Sequence, residues 1–247
     1  HAPLHRFDAR IRVLSSQPAL KHWTPVHLHL GAEDVPARIA LLGVDEISPG
    51  TENWAQITVD RNICALAGDR FILRDASARH TIGGGRVLDI FPPNRKKRSP
   101  ERLAMLAALA DDHSATALQL ASEQQPAGVE LGAYALNRNL DVATLQALTA
   151  SLPLKVVGNT AFSTANWQAL SKKLLTALAA EHERAPDMPG VERDRLRRLT
   201  LPTLSRPAFD ALLGESLKTG CIAQTNAWLH LPEHRIRIAA GDRDLWE

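Results

Sequence analysis

Residues 81–90 read TIGGGRVLDI, three consecutive glycines running straight into an apolar, β-prone stretch. Glycine-rich loops cradle phosphates in two well-defined settings, and this one fits neither. A Walker loop ends in Gly-Lys-Ser/Thr, so that the lysine meets the phosphates and the hydroxyl meets magnesium. Here Gly85 is followed by Arg86 and Val87. A dinucleotide fingerprint needs a strand before its glycines and a helix after them, whereas RVLDIF, which follows here, reads as a strand. The glycines are therefore expected at the sharp start of a barrel strand, where another backbone passes too close for a Cβ.

Outward from that strand the same character persists. FDARIRVL, VHLHL, ARIALL, NWAQITV, DRFILRD and RVLDIF are short runs with partial period-two alternation. Turn formers at Gly31, Gly43, Pro49–Gly50 and Gly68–Asp69 separate them. Regularly spaced strands with no helices between them predict a small antiparallel barrel or sandwich. After Pro92–Pro93 the basic, proline-flanked NRKKRSPER, residues 94–102, reads as a domain boundary.

Beyond it the period becomes helical, in PERLAMLAALADD, LGAYALNRNL, DVATLQALTAS and STANWQALSKKLLTALAAEHER. Asp141, Ser163 and Ser205 are the expected N-caps. LKVV-GN-TAF has a hairpin tip at Gly158–Asn159, and CIAQTNAWLHL a second tip over residues 224–227. The order helix, helix, helix, hairpin thus occurs twice, about 65–70 residues apart, which is the winged-helix plan. The expected organisation is a barrel over 1–93, winged helices over 94–162 and 163–234, and the start of a further segment over 235–247. Within that last segment AAGDRDLWE predicts the beginning of another helix.

Composition narrows the function classes. With 45% hydrophobic and 4% aromatic residues, the cores must be built mainly from Leu, Ala, Val and Ile. A formal charge of +2 identifies no nucleic-acid binder by itself, so any such case rests on local clustering. Cys64 and Cys221 lie far apart without a CxxC partner, and a reducing, cytoplasmic compartment is the simpler reading. No apolar stretch approaches the roughly 20 residues of a membrane span. HAPLHRFDAR holds neither an initiator Met nor a signal-peptide core, so the chain reads as an excised piece of something longer.

Three kinds of site come into question. His27 and His29 share one face of a strand, but a metal would want a third ligand that nothing in the sequence designates; a solvated or RNA-facing strand is the alternative. HExxH, GxSxG and Cys–His signatures do not occur, and no catalytic centre is expected. Arg95, Lys96, Lys97 and Arg98 form a run able to grip phosphate, against the plainer reading of an interdomain linker. Arg193, Arg195, Arg197 and Arg198 crowd a helix with Glu192 and Asp194, which reads equally as a solvated, partly self-paired face. The expected recognition helices, residues 141–151 and 207–219, carry between them only Lys218. They therefore read as spacers or protein-contact units rather than groove readers.

DRFILRDASARHTIGGGRVLDI, residues 69–90, resembles the closing hairpin of the third domain in the elongation factor Tu family of translational GTPases. Continued into PPNRKKRSPERL, it is similar to the bacterial selenocysteine-specific elongation factors, the SelB family. AAEHERAPDMPGVERDRLRRLTLP and AWLHLPEHR resemble that family's second winged-helix module. The resemblance spans essentially the whole chain. It implies a third barrel domain followed by two tandem winged helices, from a protein that carries selenocysteinyl-tRNA to ribosomes paused at UGA. GTP and magnesium would then be held by a GTPase domain outside this chain, with no cofactor in the chain itself. An mRNA hairpin would be held by later winged helices. By the same resemblance His27, Ala78 and Arg79 fall on the tRNA-facing surface, with His80 beside them. Ala78 stands where the family has a glycine.

Two other readings compete. A DNA-binding winged-helix regulator with a β-rich effector domain would need a basic recognition helix. A histidine-based metal hydrolase would need three convergent ligands.

Overall fold

The structure, a computed structural model, describes residues 3–237. The helix expected from AAGDRDLWE lies outside the described residues. The chain forms two compact units, one built on residues up to 152 without 126–128, the other on 126–128 with residues from 153 onward.

The first unit begins with eight strands: β1 (Leu4–Val13), β2 (Leu20–Lys21), β3 (Thr24–Leu30), β4 (Glu33–Leu41), β5 (Glu46–Ile47), β6 (Glu52–Ile63), β7 (Arg70–Arg74) and β8 (Thr81–Asp89). Six of them close into an antiparallel barrel in the order β1-β6-β4-β3-β7-β8, with β8 returning to β1. Alternation explains the closure. In β3, Val26, Leu28 and Leu30 point inward and are buried, while His27 and His29 point out. Phe7, Ile11, Leu28, Ile39, Leu41, Ile57 and Leu73 fill the interior, and the rings of Phe7 and Phe71 meet edge to face at 5.8 Å.

The glycine run lies within β8 rather than at its start, paired on one side with β1 and on the other with β7. A Cβ on Gly83 would overlap the carbonyl oxygen of Arg12, and one on Gly85 that of Arg10. The expectation of a seam too close for side chains therefore holds, with the tight contact in the middle of the strand.

Four helices follow in this unit: α1 (Pro100–Leu109), α2 (Ser114–Gln124), then the two-residue strand β9 (Val129–Glu130), α3 (Leu131–Arg138) and α4 (Val142–Ala150). Helix α1 starts where Ser99 accepts the N–H of Arg102 at 3.2 Å, with Pro100 in its first turn. It lays Leu103 and Leu106 against Leu42, Trp54 and Leu88 of the barrel.

Beneath α1 lies a polar fastening. Arg102 reaches Asp8 at 2.5 Å and Asp89 at 2.7 Å, and Gln56 donates to Asp8 at 2.9 Å. Asp8 and Gln56 are fully buried. Burial pushes the Asp8 carboxyl up, against the pull of Arg102. Further along, Asn137 of α3 donates to Leu88 O at 3.0 Å and accepts from Ile90 N–H at 3.2 Å. It thus completes the end of β8 as a neighbouring strand would. Arg138 ties down the carbonyls of Leu109 and Asp111 where α1 ends.

The second unit contains β10 (Leu154–Val157), β11 (Thr160–Ser163), α5 (Thr164–Arg184), β12 (Val191–Glu192), α6 (Arg193–Thr200), α7 (Arg206–Lys218), β13 (Ala223–Thr225) and β14 (Trp228–His230). Its core is apolar: Phe162, Trp167, Leu174, Leu196, Phe209, Leu212 and Leu213 are buried together. Trp167 donates its indole N–H to Glu215 at 2.7 Å, which satisfies that group at the edge of the core. The imidazoles of His182 and His234 stack at 3.7 Å, and His182 accepts the N–H of Leu231 at 3.1 Å.

A barrel followed by winged-helix structure is thus the observed fold. The expected caps all form: Asp141 accepts from Thr144, Ser163 from Asn166 and Ser205 from Ala208. Three details differ from the sequence reading. Helix α2 was not foreseen, because its apolar spacing in SATALQLASEQ is diluted by small and polar residues. A two-residue strand comes before the last two helices of each repeat, β9 before α3 and α4 and β12 before α6 and α7. The second hairpin turns at Asn226 and Ala227, with Gln224 inside β13; Asn226 supplies the left-handed conformation at φ 55°.

Candidate functional site

In β7 the residues Arg70, Ile72 and Arg74 alternate outward against inward Phe71 and Leu73. Strand β3 runs beside it with His27 opposite Arg74 and His29 opposite Ile72. His27, Arg74 and the turn over residues 75–80 therefore share one edge of the barrel.

Asp75 organises that turn. Its carboxylate accepts the backbone N–H of Arg79 at 2.7 Å and of His80 at 3.0 Å, and the Ser77 hydroxyl at 2.7 Å. The His80 N–H, then the Ser77 hydroxyl, hold its carboxyl far below the ordinary carboxylate range, so it stays ionised at neutral pH. Ala78 adopts φ 53°, the left-handed conformation that a glycine would take without strain. The turn thus holds Ala78 in a backbone conformation that glycine takes more readily.

With the backbone fixed, the side chains face outward. The Arg79 guanidinium makes no hydrogen bond or ion pair among the described residues, while its carbonyl accepts from Arg74 at 3.2 Å. His80 is exposed, with Nδ1 3.4 Å from Asp75. His27 lies 3.0 Å from Asp34, whose carboxyl its ring holds below the ordinary range. Structure and sequence thus bring His27, Ala78, Arg79 and His80 to one edge. Arg74 joins them although sequence reasoning missed it; the outward R-x-I-x-R alternation of β7 was the available signal. His27, His29 and Asp34 come close, yet no group of three or more His, Cys, Asp or Glu among the described residues is arranged to hold a metal ion.

The linker cations divide. Lys97 bonds to Gln56, and Arg98 donates to Leu41 O at 2.9 Å and Val44 O at 3.3 Å, so both are anchored on the barrel. Arg95 and Lys96 are exposed. Together with His22 and Trp23, residues 94 and 96–99 line an open groove of about 560 Å³.

The arginine-rich helix is partly paired, as one of the two readings had it. Its partners lie outside α6, however: Arg193 meets Asp210 at 2.6 Å and Arg195 meets Glu181 at 3.3 Å. Helix α4 has no Lys or Arg; α7 adds Arg206, which is 3.2 Å from Asp194. Neither presents a row of unpaired cations to a groove. No helix among the described residues is long and apolar enough to cross a membrane.

Comparison with known proteins matches two family models to this chain. Residues 7–94 match the β-barrel domain of selenocysteine-specific elongation factor. Residues 175–231 match the winged helix of elongation factor SelB. The selenocysteine-specific elongation factor of Escherichia coli (strain K12) is 33% identical over 249 residues, covering 99% of this chain. That of Haemophilus influenzae is 29% identical over 245 residues, covering 96% of it. The chain spans 38% of the length of either relative. A crystal structure of the bacterial selenocysteine-specific elongation factor EF-Sec superposes with a TM-score of 0.63 at 16% identity. That match covers 99% of this chain and 36% of the solved one, and shows likeness of fold.

Proposed function

From a chain that belongs to the selenocysteine-specific elongation factor family, we propose a role in delivering selenocysteinyl-tRNA to the ribosome at UGA codons, in the cytoplasm. GTP and magnesium act in a GTPase domain outside this chain. The barrel, residues 1–93, meets the tRNA. Two winged helices, residues 94–162 and 163–234, form an arm toward the modules that hold an mRNA hairpin. In this reading the chain itself performs no catalysis.

One observation carries the tRNA assignment. Asp75 fixes the backbone of the turn while the Arg79 guanidinium has no partner among the described residues. An exposed Arg on a fixed turn is suited to a phosphate, because its planar fork meets two oxygens and the backbone that carries it is already ordered. His27, His80 and the Ala78 backbone border the same contact, with Arg74 behind it. Arg95, Lys96, Lys97 and Arg98 give the linker a positive charge near the barrel, a second region for phosphate.

Arg79→Ala in the full-length protein is expected to weaken tRNA binding and to lower the slope of log affinity against log salt by about 1. Filter binding at two salt concentrations measures both. Unchanged affinity and slope would remove Arg79 from the interface. Tighter binding to duplex DNA than to tRNA would favour the regulator reading instead.

A further inference from the structure

Of the four described tryptophans, Trp23 alone is exposed, at 52%. Trp54 and Trp228 are half-buried, and Trp167 lies in a core. An exposed indole leaves a large apolar face in water, and Trp23 is held there by construction. Its backbone adopts φ 64°, a conformation unfavourable for a bulky residue, and donates its N–H to Ile39 O at 2.7 Å. The His22 ring abuts the indole edge to face, with centroids 5.5 Å apart. His22 is itself fixed, because its Nδ1 accepts the N–H of Leu41 at 3.1 Å. Arg98 lies 3.2 Å from the same nitrogen and donates to Leu41 O.

This pedestal forms one wall of the 560 Å³ groove. Lys96, Lys97 and Arg98 line the rest with Asn94 and Ser99, and no lining residue is acidic. Ala40 and Leu42 lie at its floor, with the Leu41 backbone between them. A rigid aromatic face beside several cations in an open groove is the arrangement that takes an unpaired nucleotide, the base stacking and the phosphate meeting the cations. A duplex has no free base face to offer it.

We propose that Trp23 and the linker groove form a second RNA site, separate from the Arg79 edge, which binds an unstacked nucleotide. The inference rests on the reading of this chain as an RNA-binding segment and adds a site with a different preference. Trp23 supplies the stacking platform; Lys96 supplies a phosphate contact. His22 and Arg98 are positioning residues that hold the indole upright.

The test uses the full chain, with labelled short single-stranded RNA and the same RNA annealed to its complement as probes. Trp23→Ala is expected to lower single-strand affinity roughly 5- to 100-fold, the loss of one base–aromatic stack. Trp23→Phe should recover part of that affinity, and duplex affinity should not change. Lys96→Ala should reduce the salt slope by about 1 on the single strand. Arg79→Ala, measured against tRNA in parallel, separates the two readings. If Arg79→Ala weakens tRNA binding while Trp23→Ala leaves both RNAs unaffected, the second site fails and the proposed function stands. An equal loss on single strand and duplex would overturn the stacking role. No RNA binding by the unsubstituted chain at low salt would sink both.

Discussion

Apart from the additional α2 of the first, the two winged-helix repeats share an order of elements but are held by different forces. In the first, Arg102 of α1 and Asn137 of α3 bind buried or half-buried polar groups of the barrel, and Arg138 ties α3 to the end of α1. Its helix α4 buries no residue at all. In the second, α7 buries Ala208, Phe209, Leu212, Leu213 and Ser216 in an apolar core with α5. Hydrogen-bonded fastenings are directional and fail sharply when one partner is lost; apolar packing is forgiving of direction and sensitive to volume. The first repeat therefore draws polar partners from the barrel beside its own buried Leu118, Leu131 and Tyr134, while the second rests on a larger apolar core.

Removing the guanidinium tests the polar side of that contrast most severely. Arg102→Ala strands Asp8 and Asp89 without their cation and is expected to cost about 3–5 kcal/mol. Urea unfolding of the first unit can be followed through Trp54, which packs beside α1. Adding Asp8→Asn and Asp89→Asn to Arg102→Ala should return part of the loss. If Arg102→Ala changed nothing, the fastening would be decorative and the contrast would collapse.

Leu212→Ala probes the apolar side. Leu212 is 1% exposed, and the cavity left behind should cost about 3 kcal/mol. The change should appear in the transition reported by Trp167, which belongs to the same core. No hydrogen-bond partner is stranded, so a second conservative change to Met should restore most of the stability.

The smallest expected effect is a pH dependence confined to the second unit. Burial pushes the His182 imidazole below its ordinary value of 6.5, with His234 and His230 acting in the same direction. A depressed folded-state value means that the unfolded chain takes the proton more readily. Stability is therefore complete above about pH 6.5 and is lost as pH falls through the lower, folded-state value. Urea midpoints at about pH 7.5 and pH 5 measure it. His234→Phe, which keeps a ring for His182 to stack on but no second imidazole, should reduce the dependence in part, since burial, the larger cause, remains.

Much of this architecture is legible in the sequence because local rules carry it. Alternation in VHLHL and RFILR places the barrel faces, GGG marks a seam that excludes side chains, and Asp141, Ser163 and Ser205 announce their helices. The Arg79 edge was reached by family likeness, and the structure adds why that turn is rigid: Asp75 bonds to two backbone N–H groups. What escaped the sequence depends on long-range placement. Nothing local to RSPERL reveals that Arg102 will reach Asp8, 94 residues away. Nor does KHWTPV show that Trp23 will face the linker groove, since that requires the barrel to close first.

Arg102 also bears on how such a barrel can be inherited. The family's barrel model ends at residue 94, but the positive charge that neutralises Asp8 and Asp89 lies eight positions later, in α1. A recombination event that moved residues 7–94 alone would carry off two mutually repelling carboxylates without their countercharge. The smallest transferable cassette of this barrel therefore includes the first helix.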